Sequence, residues 1–165
     1  MSPNYLKRHG YDPQIKEHIL FVKGAEQYQV GECAIMTLPS TDCGVAFVVC
    51  CEGKRIYHGG DLNWWTWPDD STKEREEMAL KYKTYLKPVE GVLFDVAFVP
   101  FDFRIGEAST WGMRYFLEIA SARHLFPMHF WRRYEVLKDM KRTYDFYWSN
   151  AVVHEITKEN ESFVL

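Results

Sequence analysis

Ile56-Tyr57-His58-Gly59-Gly60-Asp61-Leu62-Asn63 decides how this 165-residue chain is read. A short strand-like run ends in two glycines, and a carboxylate follows at once. Glycines lack Cβ, so the backbone can turn tightly there and approach a ligand closely. Asp61 on such a turn is suited to hold a metal or to act as a general base. The plainer alternative is a turn aspartate that bonds its own backbone. Pro127-Met128-His129-Phe130 repeats the arrangement, with His129 just past an apolar run that ends at Pro127. An imidazole there either ligates a metal through one ring nitrogen or fills a structural role. Both residues sit at strand ends, where α/β sheets present chemistry. His58 lies inside the strand. Parity puts it on the face opposite Asp61 if the strand ran on unbroken, so it has at most a supporting role.

Outward from this stretch, Val45 to Cys51 and Arg55 to His58 read as a hairpin turned by Glu52-Gly53-Lys54. Val45-Ala46-Phe47-Val48-Val49 is continuously apolar, the pattern of a strand covered on both faces. Upstream, Ile19 to Lys23, Tyr28 to Val30 and Cys33 to Leu38 look β-like, punctuated by Gly24 and Gly31. Downstream, Asp70-Ser71-Thr72 marks a helix start. That helix reaches about Leu86 before Pro88, with Met78, Tyr82 and Tyr85 on its apolar stripe. A strand from Phe94 to Val99 follows. A helix over about Thr110 to Ala120 then offers Tyr115, Phe116 and Ile119 to the core. Next come a strand from Arg123 to Phe126 and a helix over about Trp131 to Lys141. The spacing predicts a closing hairpin from Ala151 to Ile156 and Ser162 to Leu165. A β-rich first third followed by alternating helix and strand indicates an α/β fold.

The size suits a single domain over residues 1–165, with residues 1–18 polar and irregular. A net charge of −3 gives no sign of nucleic-acid binding. Lys73-Glu74-Arg75-Glu76-Glu77 mixes signs, as a solvated helix face does. No apolar run approaches the roughly 20 residues of a membrane span. The first residues lack the apolar core of a signal peptide, which points to the cytoplasm. Cys33, Cys43, Cys50 and Cys51 show no CxxC spacing, so buried reduced thiols are expected rather than a zinc knuckle.

Other side chains near the two strand ends could line a site. Asp102 follows a strand stopped by Pro100, and Arg104 nearby either neutralises it or faces an anionic substrate. Aromatics make up 16% of the chain, which fits either ring-built cores and interfaces or an aromatic-walled pocket. Trp64, Trp65 and Trp67 are costly to expose together, so they pack under the next helix or wall a site or interface. Asn63 lies in the same stretch.

Four segments together resemble the metallo-β-lactamase fold hydrolases, and within them the L-ascorbate-6-phosphate lactonase-like zinc-dependent branch. They are Ser40-Thr41-Asp42-Cys43-Gly44-Val45, Ile56 to Trp64, Asp95-Val96-Ala97-Phe98-Val99-Pro100-Phe101-Asp102, and Phe126 to Phe130. They occur in that family's order and at its approximate spacing, from about Ile19 to the C-terminus. The resemblance implies an αββα sandwich with a site at the strand ends. It also implies zinc and a metal-activated water that attacks an ester, lactone or phosphoester of a small-molecule substrate. It places Asp61 at the metal-bridging aspartate and His129 at the late histidine of the second metal.

The departure is the family's HxHxDH motif. His9, His18, His58, His124, His129 and His154 never fall two apart. The segment that brings a middle histidine in the family reads Pro39-Ser40-Thr41-Asp42-Cys43-Gly44 here, without a histidine, and Asp42 is a conceivable substitute. The expectation is therefore a partial αββα sandwich, the C-terminal two-thirds of the family domain. Catalysis by the chain alone is then in question, because zinc sites use three protein ligands plus water. The alternatives are a non-catalytic binding module, or a mononuclear enzyme recruiting Asp42, His58 or Asp102. Uncovered sheet surface would favour self-association or a complementing N-terminal half.

Overall fold

Among the described residues, seven strands form one mixed sheet in chain order. They are β1 (Gln27–Val30), β2 (Cys33–Pro39), β3 (Val45–Cys51), β4 (Lys54–His58), β5 (Leu93–Pro100), β6 (Ser121–Met128) and β7 (Val152–Val153). Three α-helices join them: α1 (Thr72–Leu86), α2 (Trp111–Ile119) and α3 (Tyr134–Tyr144). This computed structural model describes residues 13–144 and 151–165. The sequence's irregular segment 1–18 therefore falls mostly outside the described residues, and Pro13–His18 forms a 3-10 helix.

β1 to β4 are an antiparallel meander, whereas β4, β5, β6 and β7 pair in parallel. The meander follows from tight turns. Glu52 and Gly53 both have positive φ, 51° and 72°, the two-residue hairpin form whose twist matches that of the strands. Lys54 therefore belongs to β4 rather than to the turn. Parallel pairing requires a long crossover, and α1 supplies one. Its start is a capping box. Ser71 Oγ accepts from the Glu74 N–H at 3.3 Å, and Glu74 Oε2 accepts from the Ser71 N–H at 2.8 Å.

All three helices contribute to one core. Tyr82 and Leu86 of α1, Met113 and Phe116 of α2, and Leu137 and Met140 of α3 are buried with Leu38, Ala46, Val48, Tyr57, Ala97 and Leu125 of the sheet. The Phe116 ring lies 4.7 Å from Tyr57 and 5.9 Å from Phe94, centroid to centroid. Burying such a side chain contributes roughly 1.5–3 kcal/mol, so these rings fix the helices on this face. Burial also pushes the Tyr57 hydroxyl pKa far up.

The opposite face is covered differently. The β3 pattern alternates, with Ala46 and Val48 buried but Val45, Phe47 and Val49 only partly so. The expectation that β3 is covered on both faces therefore fails among the described residues. The C-terminal segment lies over β6 on this side. His154 stacks on Phe126 with 4.2 Å between ring centroids, and Phe163 meets Phe126 edge-on at 5.1 Å. Only Val152–Val153 of that segment is strand, so the predicted closing hairpin does not form.

Three further expectations are corrected. Residues 19–23 are not a strand, because no neighbour pairs with this apolar run. α3 begins at Tyr134 rather than Trp131, since Trp131 and Arg132 have left-handed φ of 54° and 59°. Cys33 and Cys51 are not reduced thiols. The β2–β3 register sets Ala34 opposite Cys50, so Cys33 faces Cys51 and the two form a disulfide. Cys50 is half-buried and Cys43 exposed. No helix among the described residues is long and apolar enough to cross a membrane.

Candidate metal centre

β3 runs antiparallel to both β2 and β4, so β2 and β4 point the same way, and β5 and β6 share that direction. The carboxyl ends of β2, β4, β5 and β6 therefore open on one rim of the sheet. The loops leaving them carry Asp42 and Cys43, Asp61, Asp102 and Arg104, and His129 in turn. The topology thus gathers residues that lie up to 87 positions apart, the span from Asp42 to His129.

Asp61 is placed by its own loop. Gly60 has φ of 55°, and a Cβ there would lie 2.6 Å from the Val45 carbonyl oxygen. No other residue fits that turn without movement. The Gly59 N–H donates to the Phe98 oxygen at 2.8 Å, tying the turn to β5. Thr41 stitches the β2 loop to it. Its hydroxyl donates to the Asn63 oxygen at 2.7 Å and accepts from the Asn63 N–H at 3.0 Å. The Trp65 indole N–H donates to the Asp61 oxygen at 3.0 Å.

His129 comes to the same point from β6. Its Nε2 is 3.2 Å from Asp61 Oδ1 and 3.0 Å from the Gly60 oxygen, to which it donates when it carries the proton. The backbone of His129 has φ of 66°. Such angles cost on the order of 1–3 kcal/mol and persist where the surroundings fix them. Trp65 meets the imidazole edge-on at 5.9 Å.

Asp42, Cys43 and Asp61 offer ligand atoms that all lie within 4.8 Å of one another. The Asp42 carboxylate beside it pushes the Cys43 thiol pKa up, and Asp61 adds to the effect. A cation among these groups would relieve that repulsion. His129 lies outside that group and meets it only through Asp61, so oxygen and sulfur donors stand together with a nitrogen donor beside them, types that suit a zinc-like ion.

These residues open on a cleft of about 500 Å³ lined by Trp65, Trp67, Met78, Arg104 and Trp131 as well as Thr41. Asp102 is fully buried beneath it and does not reach the cleft. Burial opposes its charge. Bonds from the Arg104 side chain and backbone and from the Trp131 indole outweigh burial, and its pKa lies below the usual carboxylate range. Its Oδ2 accepts from Arg104 at 2.6 Å and from the Trp131 indole at 3.2 Å. Arg104 is thus both neutralised by Asp102 and presented to the cleft, between Trp131 at 4.3 Å and Trp67 at 5.5 Å. The reading in which Arg104 neutralises Asp102 holds, and the same side chain lines the cleft.

The other candidates separate. Trp64 points away, against Tyr82, Trp111 and Tyr115, and lines a different groove. Asn63 is buried, and its side-chain amide has no hydrogen-bond partner among the described residues. It steadies the loop through its backbone. His58 does not line the cleft. Its Nδ1 accepts from the Gly60 N–H at 3.2 Å, its ring packs on Phe98, and burial lowers its pKa. Trp131 lines the cleft and Cys43 stands beside Asp42 and Asp61, although the sequence did not single them out as site residues, and Trp67 proves to be a cleft wall. Trp131 follows His129 by two positions, and Cys43 sits next to Asp42 in the β2 loop, so adjacency was the available signal.

No family model and no curated protein matches the sequence. Among the solved structures that resemble it are two candidate hydrolases. One is a candidate Zn-dependent hydrolase of the metallo-β-lactamase superfamily from Thermotoga maritima. It is 19% identical, with 66% of this chain and 47% of that one covered and a TM-score of 0.44. The other is a candidate metal-dependent hydrolase from Parabacteroides distasonis. It is 16% identical, with 94% of this chain and 63% of that one covered and a TM-score of 0.55. The chain thus spans less than two-thirds of the length of either protein. At these identities the likeness establishes fold alone, and the longer match carries it. The chain has a mixed α/β fold with a seven-stranded sheet, shared with the Parabacteroides protein.

Proposed function

We propose that this chain carries the metal-binding face of a metal-dependent hydrolase, with Asp61 and His129 as ligands of a zinc ion. The observation that supports the reading most is the meeting of Asp61 and His129 at 3.2 Å on the rim where parallel strands end. A zinc ion, when bound, brings a water to deprotonation near neutral pH and polarises the bond under attack. The chain's own residues do the rest. Thr41 and the Trp65 indole hold the Asp61 loop by its backbone, leaving the carboxylate to face the cleft. Trp65, Trp67 and Trp131 supply flat apolar walls that keep bulk water from a small substrate. Arg104, fixed by Asp102, turns the edge not bonded to that carboxylate toward the cleft, where it can receive an ester, lactone or phosphoester oxygen.

A second reading is a binding module without catalysis, favoured by the absence of any HxHxDH sequence from these 165 residues. One experiment separates the two. The chain is loaded with zinc and offered a p-nitrophenyl ester, a γ-lactone and bis-p-nitrophenyl phosphate. Zinc-dependent turnover of one of them, abolished in Asp61→Asn, supports the hydrolase. Retained zinc with no turnover of any of the three supports the binding module.

A further inference from the structure

We propose that Asp42 and Cys43 complete the centre begun by Asp61 and His129, so that this chain holds one zinc-class ion by itself through a thiolate, two carboxylates and an imidazole. The inference rests on the metal-dependent reading above and deepens it, by assigning two ligands from the β2 loop.

Geometry carries it. In a tetrahedral zinc site, metal–ligand lengths near 2.0 Å for oxygen or nitrogen and 2.3 Å for sulfur put O and N donors about 3.3 Å apart and S and O donors about 3.5 Å apart. His129 Nε2 and Asp61 Oδ1 are 3.2 Å apart, and Cys43 Sγ and Asp42 Oδ1 are 3.6 Å apart. Both pairs already match the edges of such a tetrahedron. Asp42, Cys43 and Asp61 offer donors within 4.8 Å of one another, and rotation of the exposed Asp42 and Cys43 side chains closes that gap. His129 lies outside this group, is tied to it through Asp61, and has to swing toward the β2 loop to join. The two loops are also held together independently of any ion. Thr41, the residue before Asp42, bonds to both Asp61 and Asn63. Gly60 lets the Asp61 turn press on the Val45 carbonyl, two residues beyond Cys43.

The chemistry agrees with the placement. Cys43 is exposed and free, whereas Cys33 and Cys51 are bonded to each other and Cys50 lies half-buried in β3. The Cys43 thiol donates to Asp42, which lines the cleft, and it is exposed rather than in the core. A set containing sulfur and imidazole selects zinc or cobalt over magnesium or calcium, which take oxygen ligands. Binding exchanges the thiol proton for the ion, and Nε2 of His129 gives up its bond to the Gly60 oxygen.

Cobalt(II) tests this without reference to activity. The whole chain, stripped by chelator with its disulfide intact, is titrated with cobalt. The near-ultraviolet thiolate-to-cobalt charge-transfer band is followed in wild type, Cys43→Ser and Cys50→Ser, with circular dichroism to confirm folding. The expected result is a band that saturates at one equivalent in wild type and Cys50→Ser and is lost in Cys43→Ser. Cobalt bound with no such band, or a band that survives in Cys43→Ser, overturns the thiolate assignment while leaving the Asp61–His129 centre standing. No cobalt bound by wild type overturns this inference and the hydrolase reading together.

Discussion

Gly60→Ala tests how tightly the Asp61 loop is built. The alanine must adopt φ near 55°, where an L-residue loses about 1–2 kcal/mol. Its Cβ would also stand 2.6 Å from the Val45 oxygen, and that atom is backbone, so the loop or β3 must shift. Overpacking of this kind costs about 1–3 kcal/mol more, for a total of about 2–5 kcal/mol. Gly53→Ala is the control. Gly53 has φ of 72°, but a Cβ there would meet nothing within 4 Å, so only the backbone cost of about 1–2 kcal/mol applies. With a urea slope of about 2 kcal/mol/M, Gly60→Ala should lower the unfolding midpoint by about 1–2.5 M, and Gly53→Ala by less than about 1 M. Displacing Gly60 also moves the carbonyl that meets His129, so metal binding should weaken in Gly60→Ala and not in Gly53→Ala. Equal midpoint shifts in the two variants would refute the close approach on which the placement of Asp61 rests.

Three other outcomes follow from the same geometry. Burial, the neighbouring His124 and then Lys141 lower the His154 pKa, so the unfolded chain binds the extra proton. Stability is then fully present above the ordinary value of 6.5 and falls as pH drops through it. Urea midpoints measured from pH 8 to 5 should show this slope, and His154→Asn should flatten it. Ser71→Ala removes the α1 capping box and should cost about 1 kcal/mol, read as a small fall in melting temperature. Replacing both Cys33 and Cys51 by serine opens a cross-link spanning 18 positions and should cost about 3 kcal/mol, or roughly 6–12 °C in melting temperature by calorimetry.

The sequence was most informative where local chemistry and tertiary structure agree. Asp70-Ser71-Thr72 marked the start of α1 because a cap is a local hydrogen-bond device. The strand-end placement of Asp61 and His129 was legible because glycines and a proline punctuate the strands there. What failed depended on distant partners. Residues 19–23 have strand-like composition but no neighbour to pair with. The Cys33–Cys51 bond follows from register, which the spacing of cysteines does not reveal. Trp64 and Trp65 are adjacent, yet one packs under α1 and α2 while the other walls the cleft. Asp102 was identified as a loop carboxylate, but only the fold shows it to be the buried anchor of Arg104 and Trp131.

Loop-closure entropy predicts an order of assembly from the change from antiparallel to parallel pairing at β4. The meander of β1 to β4 forms through short turns and brings Asp42, Cys43 and Asp61 together with little loop-closure entropy. His129 arrives only after two crossovers have docked β5 and then β6, contacts that are slow to form. On the four-ligand proposal, a chain caught with its meander formed would therefore present Asp42, Cys43 and Asp61, and the His129 imidazole would join last. Metal affinity in this protein should then rise in two stages during refolding, the second reporting the closure of the parallel half of the sheet.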